Sequence, residues 1–388
     1  MDTKIIAIIA VVAVVAAGAG VYFVLSGDSG DQNDDRIELD QPITVKDALG
    51  KSVNVKYKID RVALTDGASI EFFASSWGDG WEDHVCMMPE DLSSRDAYLG
   101  DYIEKTWPKL SKLPKCPDLY VSLASNPNAV AEKIMETNPD LVILPGSTMS
   151  WLQGIDGFYK IFADSDIPVF NTMFYTIGLT ETVADVNYGA MGKILQKEDR
   201  CNRIVKFHND SLAALKDKLK SHDKSVKIYY EVPGADASQY GNVVNMGVPE
   251  VNLIGTNVLT GVPMDSQYNI EKMNRADPDW IFIVDTSYYS GKQSFGMFAP
   301  EDKAAAAATL AKYTSRDGWS DLDAVKDKHV ALIYGELRHG VTSLFSAYQM
   351  ANIINKSVVS DEELSQFEKD ISTVLPWEFK GYFGYVME

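Results

Sequence analysis

Apolar positions along this chain recur on two periods. Short runs rich in Val, Ile and Leu alternate with longer stretches whose apolar residues lie three and four apart. The first kind reads as strands covered on both faces, the second as amphipathic helices. Residues 43–45 and 53–55 flank Gly50 and predict a hairpin turning around Leu49-Gly50-Lys51. Residues 61–64 predict a strand entering Thr65-Asp66-Gly67, followed by a helix over 68–76 with Ile70, Phe73 and Ala74 on one face. Trp77-Gly78-Asp79-Gly80-Trp81 reads as a turn whose tryptophans pack at the far end of the sheet, and 84–88 as a strand whose alternate residues are core. The stretch 89–125 holds Pro108, Pro114 and Pro117 and reads as loop-rich. Further strands fall at 141–144, 167–170, 226–230 and 329–334, with a short candidate at 243–246. Helical spacing covers 180–195, then resumes after a charged break at 196–199 through Ile204, Leu212, Leu215 and Leu219. That second helix would be ~30 Å long at 1.5 Å per residue. A helix runs from 301 to 313, where the alanine run reads as helix propensity. Two more helices precede Pro376.

One pattern occurs twice. Glu132-Lys133-Ile134 leads through Asn138 into Pro139-Asp140-Leu141-Val142-Ile143, and Glu271-Lys272-Met273 leads through Asp277 into Pro278-Asp279-Trp280-Ile281-Phe282. Each copy reads as a helix end, a turn that proline enforces, and a buried strand. Two copies this far apart, with the long helix between them, imply two α/β lobes of similar design. A cleft between such lobes is where a small ligand sits.

Composition narrows the setting. With 388 residues, 46% hydrophobic and 23% charged, the chain is globular, with room for an anchor and two domains. A net charge of -19 argues against nucleic acid, which needs a basic stripe, and against electrostatic docking on anionic lipid. Three cysteines make no disulfide framework; Cys86 and Cys116 either pair or rest as buried thiols. From Ile5 to Leu25 no residue is charged; Lys4 precedes the run, and Asp28, Asp31, Asp34 and Asp35 follow it. Such a run is long enough to span a bilayer, and the flanking charges place the body outside. It is read as a membrane anchor, with a cleaved signal as the alternative. Residues 1–26 are thus anchor or signal, 27–40 an acidic tether, 41–178 a first lobe, 179–222 bridging helices and 223–388 a second lobe.

Five segments in order resemble one known family. They are Val45–Val53 with its central Gly50, Ile59-Asp60-Arg61-Val62, Asn126-Pro127-Asn128 running into Asn138-Pro139-Asp140, Asn269-Ile270-Glu271-Lys272 running into Pro278-Asp279, and Asp323–Val330. Together they resemble the substrate-binding proteins of ABC importers that carry ferric siderophores, cobalamin or haem. The resemblance implies two Rossmann-like lobes with parallel sheets bridged by a single long helix, here preceded by an N-terminal transmembrane helix. It further implies a monomer that docks on permease transmembrane subunits, no catalysis, no resident cofactor, and a metal chelate as cargo. No cysteine ends the apolar run, so lipoprotein attachment is excluded, and an archaeal source would suit the anchor. The stretch 88–120 is longer than the family pattern.

Ligands in open α/β sheets bind beyond the carboxyl ends of strands. That rule selects Thr65-Asp66-Gly67, Met88, Ser147, Met149, Phe174 and Tyr175, with Ser125 and Asn126 before the first repeat helix. In the second lobe it selects Glu231, Tyr240, Tyr288, Tyr289, Arg338 and His339. Arg338 could grip a carboxylate or catecholate through its fork of donors, or pair with Glu336. His339 is a ligand contact or a satisfied structural histidine. The aromatic pairs could stack on a planar chelate or simply pack. No phosphate loop, His-Glu-x-x-His or Gly-x-Ser-x-Gly motif occurs. The expected function is capture of an iron chelate between two lobes for an ABC importer. The alternatives are cobalamin or haem on the same fold, a metal-chelatase-like enzyme, or an extracellular sensor.

Overall fold

A computed structural model of the chain describes residues 36–90, 92–119, 122, 126–145, 155–173, 184–233, 249–262, 268–285, 294–335 and 340–388. The apolar run 5–25 lies outside them. Among the described residues, no helix is long and apolar enough to cross a membrane. By contacts, residues up to Gln41 with Lys56–Lys58 form one unit, in which Lys58 N donates to Ile37 O at 2.8 Å. Pro42–Val55 with Ile59–Glu388 form the other.

The expected hairpin is β1 (Glu38–Lys46) and β2 (Ser52–Tyr57). Its turn is held by Asp47, whose Oδ1 accepts from Leu49 N (2.9 Å) and Lys51 N (2.8 Å), with Gly50 at φ 73°. Two five-stranded sheets follow. The first takes β3 (Val62–Leu64), β4 (Val85–Pro89), β5 (Lys115–Cys116), β6 (Leu141–Pro145) and β7 (Val169–Thr172) in the order β5-β4-β3-β6-β7, all parallel. The second takes β8 (Lys227–Glu231), β9 (Thr256–Asn257), β10 (Trp280–Asp285), β12 (Val330–Tyr334) and β14 (Gly384–Val386) in the order β14-β12-β10-β8-β9. Only β14 is antiparallel, on the edge. A separate ribbon pairs β11 (Gly296–Met297) with β13 (Gly381–Tyr382).

The two sheets repeat one plan. In each, the strand after Pro-Asp lies second to the strand that opens the sheet: β6 beside β3, β10 beside β8. Residues of β6 and β10 are buried throughout, as parallel strands covered on both faces must be. The aspartates explain why the motif recurs. Asp140 N donates to Arg61 O (2.7 Å), and its carboxylate accepts from Asp60 N (3.0 Å) and Arg61 N (2.9 Å). Asp279 N donates to Lys227 O (2.8 Å), and its carboxylate accepts from Lys227 N (2.6 Å). Each aspartate thereby fastens the amino end of its own strand to that of its neighbour. Asn138 and Asp277, at matching places, both adopt the left-handed conformation (φ 48° and 46°) that turns the helix into the strand.

The long helix is Glu198–Lys218, acidic in its first turn and basic in its last, as the helix dipole favours. Its buried stripe is Cys201, Ile204, His208, Leu212 and Leu215. It packs on helix Gly67–Trp77, where Arg200 Nε donates to Ser75 O, and on helix Ser343–Ile354, where Tyr348 Oη donates to Ser211 O. Gly192 lets the preceding helix approach, since a Cβ there would lie 2.8 Å from that of Cys201.

One expectation is corrected. The stretch 89–125 is not mainly loop: it holds helices Leu92–Arg95 and Ala97–Thr106, a tight turn Leu110–Lys112 and the strand β5. Asp96 caps the second helix by accepting from Leu99 N (2.9 Å), and Leu99 and Ile103 bury one side. Cys86 and Cys116 do not pair; both are buried free thiols, as is Cys201. The chain past Pro376 is ordered as β13 and β14. The strand candidate 243–246 lies outside the described residues. Trp81 and Met88 pack in the interior, as expected.

Candidate functional site

Strand order locates the site. In the first sheet the chain direction across the sheet reverses between β3 and β6, and in the second between β8 and β10. A crevice opens outside the carboxyl ends of strands at such a reversal. Those ends are Leu64, Pro145, Glu231 and Asp285, with Thr172 and Tyr334 flanking.

Several groups there are already committed to structure. Thr65 Oγ1 donates to Ile143 O (2.7 Å), tying β3 to β6. Asp66 caps helix Gly67–Trp77 through Ser69 N (2.9 Å). Met173 and Asn187 exchange two hydrogen bonds (3.1 and 3.2 Å). Glu231 is no ligand contact: Arg316 Nη1 and Nη2 each donate to its carboxylate at 2.7 Å, Tyr229 Oη adds a third bond at 2.9 Å, and both charged side chains are buried. Asp285 Oδ2 accepts from Ser294 N (2.8 Å).

Other groups at these ends join the two sheets' surroundings. Tyr334 Oη, at the end of β12, donates to the Asp96 carboxylate. Thr342 Oγ1 lies 3.5 Å from each carboxylate oxygen of Glu71, in the helix after β3. A Cβ on Gly340 would come within 3.0 Å of both Glu71 Oε1 and Tyr188 Oη. Burial, only partly offset by the Thr342 bonds, pushes the Glu71 carboxyl up to about 8. It pushes the Tyr188 hydroxyl well above its ordinary value, with Glu71 adding to the effect. The carboxyl ends of the two sheets therefore face a shared region.

Of the candidate residues, Asn126 lies among those described. It is exposed, and its Oδ1 accepts from Ala129 N (3.2 Å) as a helix cap. Ser125, Ser147, Met149, Phe174, Tyr175, Tyr240, Tyr288, Tyr289, Arg338 and His339 lie outside the described residues, as does Glu336. Sequence reasoning missed Glu71, Asp96, Tyr334 and Thr342. Glu71 carried a signal, a single acid inside the apolar run Ile70-Glu71-Phe72-Phe73. The other three are ordinary polar residues whose importance depends on what faces them. Among the described residues no group of three or more His, Cys, Asp or Glu is placed to hold a metal. A cavity of about 590 Å³, lined by His222, Asp277, Asp279, Asp323 and His329, opens at the opposite, amino end of the second sheet.

Comparison with known proteins adds the following. The sequence matches the family described as "Periplasmic binding protein" over residues 103–337. No curated protein matches it significantly. Among solved structures, a TroA-like periplasmic binding protein FepB from Veillonella parvula superposes with a TM-score of 0.74 at 21% identity, covering 89% of this chain and 100% of its own. The molybdate-binding MolA of Haemophilus influenzae gives 0.62 at 15%, covering 87% and 99%. A protein of an Fe3+-hydroxamate transport system from Saccharomonospora viridis gives 0.52 at 15%, covering 81% and 99%. At these identities the likeness is one of fold.

Proposed function

Since this chain belongs to the periplasmic binding protein family, we propose that it is the extracytoplasmic solute-binding component of an ABC importer, holding an iron chelate between two lobes and delivering it to the permease. The observation that carries this reading is the meeting of carboxyl ends: two sheets of one plan, joined near those ends by Tyr334–Asp96 and Glu71–Thr342. The lobes are 41–178 and 223–388, and helix Glu198–Lys218 bridges them, in keeping with its packing on helices of both. Residues 1–26 anchor the body to the outer face of the membrane, through the apolar run. No catalytic step is involved; the family is one of binding proteins.

The ligand is held by side chains of the loops that leave the strand ends. Ser125, Asn126, Ser147, Met149, Phe174 and Tyr175 serve from the first lobe, and Tyr240, Tyr288, Tyr289, Arg338 and His339 from the second. Aromatic faces stack on the chelate while Arg338 meets its anionic oxygens. Iron chelates are favoured because a protein of an Fe3+-hydroxamate transport system shares the fold.

Mass spectrometry and absorbance of the full-length protein, purified from cells grown in iron-poor medium, test the reading. A visible charge-transfer band with a chelate mass is expected. A Soret band would replace the chelate by haem, a corrin spectrum by cobalamin, and protein that takes up no metal complex from the medium would overturn the proposal. Arg338→Ala should weaken an anionic chelate by about 1.5–3 kcal/mol, the worth of a hydrogen bond to a charged group. An unchanged titration removes Arg338 from the site.

A further inference from the structure

The stretch after β4 touches more than its own sheet. Helix Ala97–Thr106 is attached at both ends to elements of the second half. At its start, the Asp96 carboxylate accepts the hydroxyl of Tyr334, the last residue of β12. Midway, Tyr102 stacks on Phe298, which follows β11 (ring centroids 3.7 Å apart, planes at 14°). Just past its end, Trp107 meets Trp377 at 6.3 Å, and Trp81 meets both Trp107 (5.2 Å) and Trp377 (6.3 Å) with rings tilted or edge-on. Trp377 Nε1 in turn donates to Met297 Sδ. A ten-residue helix spans ~15 Å, so the attachments are spread along a line and not gathered at a pivot.

The surface that receives the helix is built at a cost. Phe298 has φ +65°, a left-handed conformation that a bulky side chain adopts only when its surroundings compel it. Its backbone N donates to Lys380 O (2.7 Å), which fixes it to the strand β13. That strand lies so close to β11 that a Cβ on Gly381 would sit 2.1 Å from Gly296 O. The ribbon β11–β13 thus presents the Phe298 ring to Tyr102.

We propose that helix Ala97–Thr106 with Trp107 is a strap that fixes the angle between the two halves, so that the gap between the sheets has a preset width. The long helix Glu198–Lys218 joins the halves covalently; the strap is a second, non-covalent tie, and two ties leave little freedom to hinge. A preset gap spares the ligand the cost of ordering the halves. The inference goes beyond the transport reading and does not depend on which solute is bound.

Spin labels on Lys133→Cys and Lys312→Cys, both exposed and one in each half, report the angle by pulsed dipolar spectroscopy; the native cysteines are buried and do not compete for label. The full-length protein is expected to give one narrow distance distribution. Tyr102→Ala and Phe298→Ala, made separately so that either half supplies the lost ring, should each broaden it or add a second population, while Tyr102→Phe keeps the stack and the narrow distribution. A broad distribution in the parent protein would overturn the strap. So would alanine variants as narrow as the parent, whatever their ligand binding.

Discussion

Arg316 is held over the rings of Trp319 (4.8 Å) and Tyr313 (5.1 Å) while both arms of its guanidinium meet Glu231. Removing it would leave a buried carboxylate without its counter-charge. Arg316→Ala is therefore expected to destabilise the protein by about 3–5 kcal/mol, read as a lower denaturation midpoint in urea. A loss below about 1 kcal/mol would mean that Glu231 is solvated or otherwise paired. Glu71 acts in the other direction. Its carboxyl titrates near 8 in the folded protein and near 4.5 when free, so the folded state binds the extra proton between those values. Stability from this group is full below about 4.5, falls as pH rises to about 8, and stays low above. Glu71→Gln, which stays neutral, should gain stability relative to the parent between pH 5 and pH 9. A pH-independent difference between the two proteins would refute the assignment. The sequence marks Glu71 only as a single acid inside an apolar run, and it does not mark the Glu231–Arg316 pair at all. The strand-end rule selects Glu231 only by its position, and nothing in its neighbourhood along the chain reveals an arginine 85 residues later.

At the scale of elements the sequence was far more informative. Strands and helices arise from local periodicity, and the repeated Pro-Asp turn carries its own mechanism in the aspartate that pins two strands together. Asp140 accepts two backbone bonds and is buried, whereas Asp279 is exposed and accepts one. Asp140→Ala should cost about 1–3 kcal/mol and Asp279→Ala about 0.5–1.5 kcal/mol in urea unfolding. The reverse order would show that the two copies are not structural equivalents. The helix Ala97–Thr106 escaped notice because its inward positions, Leu99, Gly100 and Ile103, make a thin apolar stripe between prolines. The edge strand β14 escaped because its burial is only partial, which leaves no period to read. Both elements are held by what they pack against more than by their own preferences.

For the whole molecule, chain order and spacing already implied two similar halves with a long helix between them. The duplicated turn lies 139 residues apart, and each half needs its own alternation of strand and helix to cover a parallel sheet. These are local and periodic facts, written in hydrophobic spacing, capping residues and proline, and they survive without knowledge of any contact. Tertiary structure alone decided how the halves meet: Tyr334 on Asp96, Thr342 on Glu71, Tyr102 on Phe298. Such pairs join residues that lie more than 190 positions apart in the chain. Their energy comes from burial and shape at a surface that does not exist until both sheets have formed, so no local pattern in the sequence encodes it.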